Sequence, residues 1–148
     1  MANFARQLRP WILVGVPQGK AIVMKPEIID ETNLVHALRQ ALPELEQAYQ
    51  DTITHWSPDV PGNYTLIAVT LVPRLEEELE KGQISDFLMR CALFLERVCV
   101  CGNDEAINVI WIRVFERLIS NEHKRDLELL WPILGSETKR LIRDAARR

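Results

Sequence analysis

The spacing of apolar residues changes period once along the chain. Two short runs rich in β-branched side chains, Trp11–Val16 and Lys20–Met24, flank a turn with proline at its second position and glycine at its fourth. This pattern predicts a small N-terminal β-hairpin or arm over residues 1–25. From 26 to 148 the period is helical throughout, so the whole chain reads as a single, mainly α domain.

Leu34, Val35, Leu38, Ala41 and Leu42 predict a first helix over 30–41, with Asp30, Thr32 and Asn33 as candidate caps. Pro43 suits the first turn of a second helix that runs to His55. The segment SPDVPGN, Ser57–Asn63, is dense in turn formers and predicts a loop. A third helix follows from Tyr64 to Lys81. Pro73 stands inside it, so a kink or break is expected near Val72.

Residues 84–101 and 105–120 carry the longest apolar stripes. Ile84, Phe87, Leu88, Cys91, Leu95, Val98 and Cys99 lie on one face of the fourth helix, and Met89, Leu93, Phe94 and Val100 make its other faces apolar too. Such a helix is expected to be surrounded by others. The fifth repeats the pattern with Ile107, Ile110, Trp111, Val114, Phe115 and Leu118, after a Gly102–Asp104 stop that supplies a new N-cap. A short helix over 122–131 and a last one opened by Ser136-Glu137-Thr138 complete the order. About seven helices with short connections predict an α-solenoid-like, HEAT-like stack of antiparallel pairs. RLEEELEKG and RVFERLISN, which begin at Arg74 and Arg113, suggest internal repetition at a spacing of 39 residues.

Composition adds bounds to this picture. A length of 148 residues fits one domain, and 47% hydrophobic with 26% charged residues is ordinary for a globular protein. The net charge of −3 gives no global attraction to nucleic acid. The apolar runs fall short of the roughly 18 residues a membrane span requires, and MANFARQLRP lacks the marks of a signal peptide. No membrane partner and a cytoplasmic location are therefore expected. Cys91, Cys99 and Cys101 are odd in number and lie on one helix, so reduced, buried thiols are expected.

Candidate chemistry is sparse. GVPQGK resembles a phosphate loop, but only three residues separate Gly15 from Gly19, and Ala21 replaces the magnesium-binding hydroxyl. Cys99 and Cys101 are one residue apart on a helix and point to different sides, which argues against a metal pair. His36, His55 and His123 stand in different segments without a nucleophile motif beside them. No catalytic, cofactor or metal residue is assigned on this basis. Glu76, Glu77, Glu78 and Glu80 form an acidic helical run. The basic residues of the last helix, Lys139, Arg140, Arg143, Arg147 and Arg148, suit the dipole at a helix end better than nucleic-acid binding.

The segment FLERVCVCGNDEAINVIWIRVFERL, Phe94–Leu118, together with LGSETKRLI at Leu134–Ile142 and ALPELEQAY at Ala41–Tyr49, resembles a family of small bacterial helical proteins of unknown biochemical activity. The likeness covers residues 30–146. Ser136 stands where that family usually has proline. Members are often found beside polymorphic antibacterial toxins, so the resemblance implies an immunity protein. Its partner would be a cognate toxin domain, blocked by occlusion and without a cofactor.

Occlusion requires apolar or aromatic anchors within a charged rim. The first candidates are Trp11, Pro17, Gln18 and Lys20 of the hairpin, then Trp56, Asp59 and Tyr64 around the 57–63 loop, then Glu76, Glu77 and Glu80. The hairpin could instead pack on its own helices or pair two copies in a homodimer. An adaptor that binds a host peptide is the alternative. An enzyme built from His36, Glu31 and Asp30 that reverses the toxin's modification is a further one.

Overall fold

The computed structural model describes residues 12–14, 22–24 and 27–147. Ile12–Val14 (β1) and Ile22–Met24 (β2) pair antiparallel, from Ile12 opposite Met24 to Val14 opposite Ile22. Their connecting turn lies outside the described residues, and so do Trp11, Pro17, Gln18 and Lys20. The expected hairpin as a folded unit is therefore not among the described structure.

Seven helices make up the rest. They are α1 (Leu34–Ala41), α2 (Glu46–Trp56, entered through a 3₁₀ turn at Pro43–Leu45), α3 (63–80), α4 (Asp86–Cys101), α5 (104–119), α6 (Lys124–Leu130) and α7 (Ser136–Ala146). Short 3₁₀ turns at Asn121–His123 and Trp131–Ile133 flank α6. Among the described residues, no helix is long and apolar enough to cross a membrane.

Helix α4 lies at the centre, in contact with α1, α3, α5 and α7. Phe87, Leu88, Cys91, Ala92, Phe94, Leu95 and Val98 are all buried and meet Leu38 and Leu42 of the first helical segment, Leu71 and Leu75 of α3, Ile110 and Phe115 of α5, and Ile142 of α7 in one core. The central position does not make every face of α4 internal. Met89 and Leu93 are exposed, at 47% and 69%, and Ile84 precedes the helix and is exposed as well. The helix starts at Asp86 because the Ser85 hydroxyl accepts the Leu88 N–H and satisfies a free donor of the first turn.

Helix α1 also starts later than the periodicity predicts. The Asp30 carboxylate accepts the backbone N–H groups of Thr32 and Asn33, which makes residues 30–33 a side-chain-stabilised turn. Arg90 of α4 then clamps the far end of α1, bonding to the Glu44 carboxylate and to Asp86. That arginine holds Glu44 down at about 2, well below the usual carboxylate value.

Pro73 does not break α3. Upstream of it the helix widens into a π turn over Ile67–Leu71, closed by the Val72 N–H on the Ile67 carbonyl. The extra residue in that turn gives the proline ring room where an α turn would clash. Helix α5 has the same device at Trp111–Phe115, closed by Glu116 on Trp111. The two π turns begin at Ile67 and Trp111, 44 residues apart. The 39-residue shift that pairs Arg74 with Arg113 therefore does not superpose them.

Candidate functional site

Helix α5 is anchored at its first turn by the segment before α1. Ile29 donates to the Cys101 carbonyl at 3.0 Å, Asn103 donates back to the Ile29 carbonyl at 2.8 Å, and the Asn103 side chain caps Ala106. Glu31 ties the same point to α3, because its carbonyl accepts from Asn63 and its carboxylate from Asn103. Gly102 is needed there, since a Cβ would stand 2.4 Å from the Val98 carbonyl oxygen. Asn103, not Asp104, is thus the N-cap, and Asp104 and Glu105 are first-turn acids that suit the dipole.

Fixed in this way, α5 presents one outward face between α3 and α7. Asn108 donates to the Tyr64 hydroxyl at 2.8 Å, Arg113 lies over the Tyr64 ring at 5.8 Å, and Arg117 pairs with Glu76 at 2.8 Å. These contacts run α3 and α5 in the same direction, and Val69 of α3 and Ile112 of α5 are exposed. Across α5 from Tyr64, a groove of about 360 Å³ opens toward α7. Ile107, Trp111 and Leu141 form its apolar lining, and Asp104, Asn108, Arg140 and Asp144 its polar one. Trp111 is held edge-on to Phe115, with centroids 5.7 Å apart, inside the π turn. Arg140 is bound to Glu137 and Asp144. Asp104 has no ion-pair partner among the described residues.

The other end of α7 is built by Glu96. Its carboxylate accepts the backbone N–H groups of Glu137 and Thr138, at 3.1 and 2.9 Å, and the Thr138 hydroxyl at 2.9 Å. A side chain from α4 thereby caps α7, a task that Ser136 does not perform. A family model described as a domain of unknown function, DUF7674, matches residues 35–148. The chain belongs to that family. No curated protein and no solved structure matches it. Within the DUF7674 stretch, the sequence features FLE and LGSET meet at this cap, so they specify how α4 and α7 join.

The site residues expected from sequence divide into three groups. Tyr64 and Glu76 reach the α5 face through Asn108 and Arg117. Trp56 and Asp59 are exposed at the end of α2 and in the following loop, Glu77 and Glu80 are exposed on α3, and among the described residues none of them has a hydrogen bond or ion pair to that face. The hairpin candidates lie outside the described residues. The expected acidic run is interrupted as well: Glu78 turns inward, is 4% exposed, and binds Lys81 and Arg74, and its pKa is lowered first by Lys81 and next by Ser85.

His36 and His55 are exposed, and His123 meets Asp126 at 3.1 Å. Asp30 is committed to its turn, where the Thr32 hydroxyl lowers its pKa. Among the described residues, no group of three or more His, Cys, Asp or Glu side chains is placed to hold a metal. The three cysteines form no disulfide. Burial pushes the Cys91 and Cys99 thiols up to about 12. Sequence reasoning missed Asn108, Arg113 and Arg140 as site residues and counted Trp111 as core. The available signal was a tryptophan one residue past the buried Ile110, with polar residues at 104 and 108 on the same side.

Proposed function

We propose that this DUF7674 protein binds a protein partner and acts as an immunity protein that occludes a cognate toxin domain in the cytoplasm. The observation that supports this reading is the α5 face. Tyr64, Trp111 and the exposed Ile112 provide apolar and aromatic surface, and Glu76, Asp104, Arg113, Arg117 and Asp144 provide a charged rim. Aromatic anchors within a polar rim are the composition of interfaces in which a few residues carry most of the binding energy. The resemblance carried by Phe94–Leu118 and Leu134–Ile142 names the kind of partner.

The same proposal reads the helices as a HEAT-like stack. Helices α1, α4 and α7 start at Leu34, Asp86 and Ser136, so 52 and then 50 residues apart, and α4 touches both of the others. Recurrent contact at a near-constant interval supports a stack. A helical stack offers a partner a broad, fixed surface that needs little reordering on binding.

The test is co-expression with the toxin domain encoded beside it, then co-purification and titration of toxin activity. A one-to-one complex with activity falling to zero at equivalence is expected. A toxin that stays active with the protein in excess overturns the reading, and rescue below equivalence would mean turnover in place of occlusion. The α5/α7 groove favours one alternative, an adaptor that takes a single peptide. It predicts weak binding to several partners.

A further inference from the structure

The basic residues of α7 are unexplained by either the core or the α5 face. Lys139, Arg143 and Arg147 are spaced by four residues, so they form one stripe that rises about 6 Å per step. None of the three has an ion-pair partner among the described residues, whereas Arg140, on the neighbouring face, is fully engaged by Glu137 and Asp144. The helix dipole accounts for Arg143 and Arg147 near the C-terminus. It does not account for Lys139, the fourth residue of α7, which stands at the end where the dipole disfavours a cation.

Trp131 stands beside this stripe, with Lys139 Nζ 5.6 Å and the Arg143 guanidinium 5.1 Å from its ring centre. Next to the ring is a separate cavity of about 320 Å³, lined by Leu127, Trp131, Pro132 and the carboxylate-bearing Glu128. Three of its four lining residues are apolar, and it opens broadly to solvent, so an apolar side chain can rest in it.

We propose that α7 and the Trp131 cavity form a second docking surface, separate from the α5 face, for an acidic protein segment carrying an apolar anchor. The anchor fills the cavity while its flanking carboxylates pair with Lys139, Arg143 and Arg147. Charge complementarity selects the occupant: a stripe of unpaired cations attracts a polyanion. One feature favours a peptide over a nucleic acid: cations already lie over the Trp131 ring, where a base would have to stack.

The test uses a phage-displayed library of random short peptides selected on the full chain, with a labelled oligothymidine as the second probe. The expected enrichment is Asp/Glu-rich peptides with one or two Leu, Ile or Phe residues. Their binding should weaken as salt rises, and by about tenfold or more in the Lys139→Glu/Arg143→Glu variant, whose fold is checked by circular dichroism. Ile112→Glu on the α5 face should leave this binding unchanged. The proposal is overturned if selection enriches no acidic apolar peptide, if the charge-reversed variant binds equally well, or if oligothymidine binds more tightly than the selected peptides. Loss of toxin protection in Ile112→Glu without loss of peptide binding separates this surface from the proposed immunity face.

Discussion

The Glu96 carboxylate lies directly against the backbone of Gly135, where a Cβ would come within 2.2 Å of the Glu96 Cδ atom. One glycine and one glutamate 39 positions apart thus form a single joint: the glycine leaves the space, and the glutamate fills it with an acceptor for the start of α7. Each partner explains why the other is needed.

Glu96→Ala should therefore destabilise the protein by roughly 1–3 kcal/mol, because two backbone donors and the buried Thr138 hydroxyl lose their acceptor. Gly135→Ala should cost a similar amount, about 1–3 kcal/mol, by overpacking. The double variant should be more stable than the sum of the two losses predicts, since removal of the glutamate side chain opens the space that the methyl group needs. Urea unfolding of all four proteins measures this, and strict additivity would contradict the joint.

Acid should loosen the ion pairs that hold the α1–α2 corner, Arg90 with Glu44 and Arg39 with Glu46. Glu44 has its pKa depressed from 4.5 to about 2 by Arg90, and Glu46 is depressed to about 2 by Arg39. A carboxylate whose folded pKa is lowered contributes stability above its unfolded pKa and loses it as pH falls through the folded value. Stability should thus decline between about 4.5 and about 2. Arg90→Gln should be less stable at neutral pH and should lose less across that window. The contribution is modest and salt-sensitive, because both pairs are partly exposed. Thermal melts over the acid range decide the point.

The thiols of Cys91 and Cys99 should resist alkylation in the folded protein. Burial pushes both up to about 12, which leaves almost no thiolate at mildly alkaline pH. Iodoacetamide followed by mass spectrometry should find these two positions unmodified in native protein and modified in urea. Prompt labelling of Cys91 in native protein would mean that the α4 core opens.

On the α5 face, Ile112→Glu changes an exposed side chain and should alter stability by no more than about 0.5 kcal/mol. It should weaken binding of the partner by tenfold or more if Trp111 and Ile112 form the anchor, roughly the effect of an unpaired charge desolvated at an interface centre. Trp56→Ala, at a position outside the face, serves as the control and should bind normally. Calorimetric titration against the co-purified partner distinguishes the two outcomes.

The sequence alone determined the helical class, the order of the segments and most of the core. Those properties are local, because a period of apolar residues and a few caps and breakers suffice to write them. It also marked Gly82 correctly as the end of α3, where φ is +69° and a side chain would be strained. Tertiary structure decided what periodicity cannot encode. Met89 and Leu93 look like core in sequence but face outward, because burial depends on which neighbours arrive and from which side. Pro73 forecasts a kink or break, and the helix continues through it with a π turn over Ile67–Leu71 that absorbs the extra residue. Glu78 sits in an acidic run yet is buried, paired with Arg74 and Lys81. The α5 face was legible only at Tyr64 and Glu76, because a groove belongs to the space between helices. Asn108 meets Tyr64, and Trp111 shares its cavity with Leu141, only through long-range packing whose geometry no short stretch of chain contains.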